Sequence, residues 1–207
     1  LSGELDTPAH IRPIETAETI RAHADVAVGV KIRLSAAAVT GGAPAALDLA
    51  LQAARDVGKP LMVDVGGPGD FMPQALDHLG PGDILTHCFT GHAATIVAED
   101  GRMRREALDA RARGVRFDIG HGAGSFSWRS ARAAIANGFL PDSISTDLHW
   151  FSINGPAYDQ ATMMAKFLHL GLDLVDVVRL VTTGPAALIG LADVVTLRPG
   201  AAADIAV

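Results

Sequence analysis

Four ionisable residues, Lys31, Asp64, His87 and Asp147, occupy corresponding places near the C-terminal ends of four short apolar runs. Successive side chains of a strand point to opposite faces, so alternation within each run separates an apolar face from one that carries chemistry. In the first run Val26, Val28, Val30, Ile32 and Leu34 share a face, leaving Lys31 and Arg33 on the other. In the second, Leu61, Val63 and Val65 oppose Met62 and Asp64; in the third, Ile84, Thr86 and Cys88 oppose Leu85, His87 and Phe89. In the last, Ile144, Thr146 and Leu148 oppose Ser145 and Asp147. Imidazole and carboxylate are ligands suited to zinc or manganese. A lysine in such company either pairs as an ammonium with Asp64 or Asp147, or reacts with carbon dioxide to give an anionic carbamate that bridges two metals. Spacing leaves both open, as it leaves Asp64 open between coordinating a metal and accepting hydrogen bonds.

The elements that must position these groups follow from the same pattern. Five β-type runs, 26–34, 60–66, 83–89, 115–120 and 143–148, alternate with helical stretches at 43–57, 71–79, 103–113 and 127–137. Two further helical stretches follow at 158–170 and 174–189, the second interrupted at Gly184-Pro185 because proline lacks the N–H. This alternation is the signature of βαβ units and a parallel sheet, so the fold class is α/β. A parallel sheet covered by helices should be apolar on both faces, which makes the four ionisable residues exceptions. A (β/α)8 TIM-type barrel accommodates them, since its functional groups converge from the C-terminal ends of several strands. Five βα units are recognisable where a barrel needs eight.

Composition narrows the function classes. With 49% hydrophobic and 19% charged residues and a mean hydropathy of +0.26, the 207-residue chain has the balance of a folded core. A net charge of −6 offers no basic field for nucleic acid. No apolar run reaches the roughly 18 residues of a membrane span. The single cysteine, Cys88, forms no internal disulfide and no paired-cysteine zinc site, and suits a reduced cytoplasmic setting as a packed small hydrophobe. The glycine-rich turn Gly120-His121-Gly122-Ala123-Gly124 has serine where a dinucleotide fingerprint needs its last glycine, which disfavours a nucleotide-binding fold.

Several ordered motifs together carry a resemblance. Gly29-Val30-Lys31-Ile32-Arg33, Asp83-Ile84-Leu85-Thr86-His87-Cys88-Phe89-Thr90-Gly91, Phe117-Asp118-Ile119-Gly120-His121-Gly122 and Ile144-Ser145-Thr146-Asp147-Leu148-His149 resemble the amidohydrolase superfamily, in particular its dihydroorotase-like amidohydrolase/deacetylase metallohydrolases. The resemblance spans nearly the whole chain. It implies that Lys31 is the carboxylated lysine of a centre holding one or two divalent ions, zinc first, and that His87 is a ligand. It further implies that Asp147 is both ligand and catalytic base, and that His121 faces the substrate. The segment Leu197-Arg198-Pro199-Gly200-Ala201-Ala202-Ala203-Asp204-Ile205 is similar to the strand by which such enzymes re-enter a small β-sandwich, so residues 1–192 are expected to be partial barrel and 193–207 the start of the sandwich.

Two departures accompany the resemblance. The His-x-His pair with which the family opens its first strand is absent, as expected of a piece lacking about three N-terminal strands, and Asp64 stands where relatives commonly place a histidine ligand. The resemblance thus implies a hydrolase of an amide or ester bond in a small molecule; the alternative is a catalytically incomplete relative acting as an interaction module. A barrel with part of its strands has an open edge, so self-association is expected.

Overall fold

The computed structural model describes residues 5, 10–36, 38, 43–191, 195–202, 204 and 205. Among them a parallel sheet forms from β1 (Val30–Arg33), β2 (Leu61–Asp64), β3 (Ile84–Thr86) and β4 (Arg116–Phe117), in spatial order β1-β2-β3-β4. All three pairings are parallel. Residues 143–148 continue the sheet beyond β4 without forming a full strand: Asp118 and Ser143 make a parallel bridge, and the amides of His121 and Gly122 donate to the carbonyls of Ser145 and Thr146 at 3.1 and 2.9 Å. The fold is α/β with sequential parallel strands, as the alternation of runs requires.

Helices between the strands bury one apolar stripe each. In α2 (Ala43–Asp56), Ala43, Ala46, Leu47, Ala50, Ala53 and Ala54 are all buried, at the three- and four-residue spacing of a single helix face. Small alanines let this helix lie close to Ile32, Leu61 and Val63, which belong to the same core. Helix α3 (Met72–His78) and α4 (Arg105–Ala112) follow β2 and β3; α5 (Trp128–Ala136) begins at Ser127, whose side chain accepts from the Ser130 amide. Aspartates cap α6 (Gln160–His169) and α7 (Leu174–Val181): Asp159 accepts from Thr162 N–H and Asp173 from Asp176 N–H.

The structure corrects the sequence reading in three places. The first run is strand only from Val30, because the amides of Val26 and Ala27 both turn back onto the His23 carbonyl, leaving Val26 exposed. That turn ends α1 (Pro13–Ala22), a helix the sequence reading left out, although its proline lies in the first turn where no N–H is needed. The break after α7 falls at Thr182, before α8 (Thr183–Leu188), rather than at Gly184-Pro185. Pro185 sits in the first turn of α8, where its missing N–H costs nothing. The described residues beyond 191 contain no strand; residues 193, 194, 203, 206 and 207 of the expected sandwich segment lie outside the described set. No helix among the described residues is long and apolar enough to cross a membrane.

At the N-terminal ends of the strands a polar lock joins α2 to the sheet. Asp83 is buried and accepts from the Leu61 and Gly80 amides, each at 2.9 Å, while both terminal nitrogens of Arg55 grip its carboxylate. Asp83→Ala strands two backbone donors in the interior and should lower stability by about 2–4 kcal/mol, measured by urea unfolding. A loss below about 0.5 kcal/mol, the range of an ordinary surface change, would contradict this role.

Candidate active site

Beyond the C-terminal ends of the strands the polar residues gather. A cavity of about 300 Å³ is lined by Lys31, Met62, Ile84, Thr86, His87, Asp118, Ser145 and Asp147, with Pro185, Leu188 and Ile189 of the α8 region completing its apolar wall. Three of the anticipated residues, Lys31, His87 and Asp147, therefore share one cavity. The fourth, Asp64, is buried against it and takes contacts from all around: His87 Nε2 lies 3.1 Å from Oδ1, Lys31 Nζ 3.3 Å and Arg33 Nε 3.4 Å from Oδ2, and the Gly66 amide donates to Oδ1 at 3.0 Å. Burial alone would raise the Asp64 pKa. The bond and charge of His87, the Gly66 amide and Lys31 outweigh it and hold the carboxyl well below the usual range.

His87 is oriented from both sides. Its Nδ1 faces the Gly120 carbonyl at 2.5 Å and its Nε2 faces the Asp64 carboxylate; both partners can only accept, so each ring nitrogen donates when the imidazole is charged. Burial works against protonation, but the Asp64 carboxylate and the Gly120 carbonyl prevail and raise the imidazole pKa.

The backbone at the site is strained. Three described non-glycine residues have left-handed φ, and two of them are His87 (64°) and Asp147 (45°). Such conformations cost an ordinary residue roughly 1–3 kcal/mol and persist where the surroundings impose them. At His87 the consequence corrects the face assignment made from alternation. Ile84, Thr86 and His87 all reach the cavity, whereas Leu85, Cys88 and Phe89 enter the helix-side core. The left-handed residue interrupts the two-residue period, so Cys88 belongs with Leu85 rather than with Ile84. Burial pushes the Cys88 thiol well above its ordinary pKa, in keeping with a packing role.

Close backbone approach completes the mouth. A Cβ on Gly120 would sit 2.7 Å from His87 Nδ1, and one on Gly122 would sit 2.7 Å from Asp147 Oδ2; both glycines have positive φ. His121, between them, is buried and fully engaged. Its Nδ1 donates to the Gly122 carbonyl at 2.9 Å, its Nε2 meets Lys166 Nζ at 2.8 Å, and its ring stacks on Phe126 at 4.6 Å. Burial, with the Gly122 carbonyl opposing and the Lys166 charge assisting, lowers its pKa. The residues lining the cavity do not include it. Asp118 is the residue the sequence reading missed: it is buried on the cavity side, and Phe117 and Ile119 on either side of it lie in the core. The alternation used on the other four runs, carried through 115–120, would have singled it out.

A profile of the amidohydrolase family matches residues 6–207. The chain belongs to the amidohydrolase family. It is 41% identical to a deacetylase of Agrobacterium fabrum over 180 residues, covering 87% of this chain and 44% of that protein. A deacetylase of Brucella anthropi is 38% identical over 190 residues, covering 92% and 47%. Among solved structures, an adenine deaminase superposes with a TM-score of 0.92 at 33% identity over 97% of this chain and 55% of its own. A dihydroorotase superposes at 0.85 and 39% over 92% and 52%. The chain spans about half the length of the curated relatives it matches.

The donor chemistry of this amidohydrolase-family chain fits a divalent cation in kind: an oriented imidazole faces a buried carboxylate, with Asp147 and Lys31 on the same cavity. Among the described residues, however, no three His, Cys, Asp or Glu side chains converge into a set that could hold a metal. Gly120→Ala should displace the His87 ring and force an alanine into left-handed backbone, lowering stability by at least about 1 kcal/mol in urea unfolding. Unchanged stability would contradict the contact.

Proposed function

We propose that this protein is a metal-dependent hydrolase that cleaves a C–N or ester bond of a small molecule, such as an N-acyl amino acid, a cyclic amide or imide, or an acetylated hydroxy acid. One observation supports this above the others: in a chain of the amidohydrolase family, Lys31, His87 and Asp147 line a single cavity on one face of a parallel sheet, with His87 just past the C-terminal end of its strand. His87 Nε2, Asp64, Asp147 and Lys31 are the groups that would hold a divalent ion, zinc first. Further ligands would come from strands outside this chain. Once bound, such an ion lowers the pKa of water and polarises the scissile carbonyl.

The chain's own residues do the rest. The Lys31 side chain, half-exposed and 3.3 Å from Asp64, can give up its ammonium proton to water, add carbon dioxide through the free amine and lose a second proton, so that a repelling cation becomes an anionic carbamate. Asp147, held in left-handed backbone against Gly122, takes a proton from the attacking water on its carboxylate and returns it to the leaving nitrogen or oxygen. A substrate role for His121 would require Lys166 to leave its Nε2, since both ring nitrogens are engaged and the ring does not line the cavity. The strand β1 pairs only with β2 among the described residues, so its open edge is closed by further barrel strands or by a second copy of the chain.

A non-catalytic interaction module is the second reading, favoured by the lack of a three-ligand cluster among the described residues. Turnover separates the two. With the panel of N-acyl, cyclic amide and acetylated substrates, Lys31→Ala and Asp147→Ala should each lower kcat/KM by about 10²-fold or more while leaving the fold intact by circular dichroism. Full turnover in Asp147→Ala would refute the assigned base, and no turnover of any substrate by the unaltered protein would favour the module.

A further inference from the structure

The residues that hold Gly120 form a network that the proposed chemistry does not use. Asp118 is buried, and among the described residues it has no Lys, Arg or His within ion-pair distance. A buried carboxylate is costly unless hydrogen-bonded, and here three hydroxyls from two neighbouring segments compensate it. Thr86 and Ser145 both donate to Oδ2 at 2.7 Å, and Ser143 donates to Oδ1. Ser145 carries the network onward. Its single proton is committed to Asp118, so its oxygen is left to accept, and it accepts the Gly120 amide at 3.0 Å. The carbonyl of that same glycine receives the Nδ1 proton of His87.

We propose that Asp118 is a positioning residue for His87: acting through Ser145 and the Gly120 peptide, it biases the ring's tautomer and fixes its direction so that Nε2 faces Asp64 and the cavity. Gly120 needs such an anchor. Its N–H and its carbonyl belong to successive peptide units that meet at a Cα with φ of 48° and no side chain; the Ser145 hydroxyl holds the first, the Ser145 carbonyl holds the second through the His121 amide, and loss of either would let the Gly120 carbonyl turn from His87. The three-hydroxyl cradle explains why a carboxylate stands in a place where the sheet interior would otherwise favour an apolar residue. The inference deepens the reading above and rests on it only for what Nε2 is used for; the orientation of the ring stands by itself.

The test compares Ser145→Ala, Asp118→Ala and Asp118→Asn with the unaltered protein by two measurements. Long-range 1H–15N NMR on metal-free protein, at alkaline pH where the ring is neutral, reads the His87 tautomer, and chelator competition reads the zinc dissociation constant. In the unaltered protein the Gly120 carbonyl holds the proton on Nδ1 against the pull of Asp64 on Nε2–H, and the ratio of the two tautomers is the reference. Ser145→Ala and Asp118→Ala should shift the ring toward Nε2–H and bind zinc about 10- to 100-fold more weakly, and Asp118→Asn, which keeps an acceptor oxygen, should recover part of each. A merely structural role would lower the unfolding temperature and leave the tautomer unmoved. If Asp118→Ala fails to fold, Ser145→Ala decides the matter, since it removes one hydroxyl and leaves the carboxylate bonded to the other two. A folded Ser145→Ala protein with the tautomer ratio of the unaltered protein and zinc affinity within about twofold would overturn the proposal. A tautomer that shifts in the variants of a protein that binds no zinc would uphold the positioning role and count against the hydrolase reading instead.

Discussion

A buried carboxylate must be compensated, and much of this structure is arranged around compensating Asp64. It lies at the end of β2, closed in by the sheet, where an isolated charge could not persist. His87, Lys31, Arg33 and the Gly66 amide converge on it from three directions. The imidazole is the partner that shares its burial, and its place is set in turn by the Gly120 carbonyl on its far side. Lys31 and Arg33 are half-exposed, and their attraction is correspondingly screened by solvent. The His87 backbone is driven into left-handed geometry to bring the ring there, and the neighbouring glycines leave the space it needs.

The sheet separates two kinds of polar chemistry by its two ends. At the N-terminal ends Asp83 pairs with Arg55 and accepts from the Leu61 and Gly80 amides, an ion pair that ties α2 to the sheet. At the C-terminal ends Asp64, His87, Asp118 and Asp147 crowd around a cavity with strained backbone at two of the four. This division is the one expected of barrel enzymes, where the first end is concerned with stability and the second with chemistry. Family membership and superposition on an adenine deaminase and a dihydroorotase agree with it.

Much of the fold was legible because it rests on periodicity. The alanine stripe of α2, the Ser127, Asp159 and Asp173 caps and the apolar faces of β1 and β2 all follow from local pattern, and the helix boundaries fall within a few residues of expectation. What local pattern missed has identifiable causes. Val26 reads as strand by residue type, yet a turn around His23 satisfies its amide first. His87 breaks strict alternation because tertiary contacts impose a positive φ that no residue-type rule assigns to histidine. The resemblance has His121 face the substrate; its ring stacks on nearby Phe126 and its Nδ1 meets the Gly122 carbonyl, while the contact of Nε2 with Lys166, forty-five residues on, is one that no local pattern shows.

The central claim is that His87, Asp64, Asp147 and Lys31 form part of a metal centre. The most direct measurement is metal content per chain, by elemental analysis of protein prepared with zinc and bicarbonate, for the unaltered protein beside His87→Ala. The account predicts about one or two bound ions in the first, as in the mono- and binuclear sites that metal catalysis uses, and a marked loss in the second. Absence of bound metal from both, in protein that is folded, would contradict it.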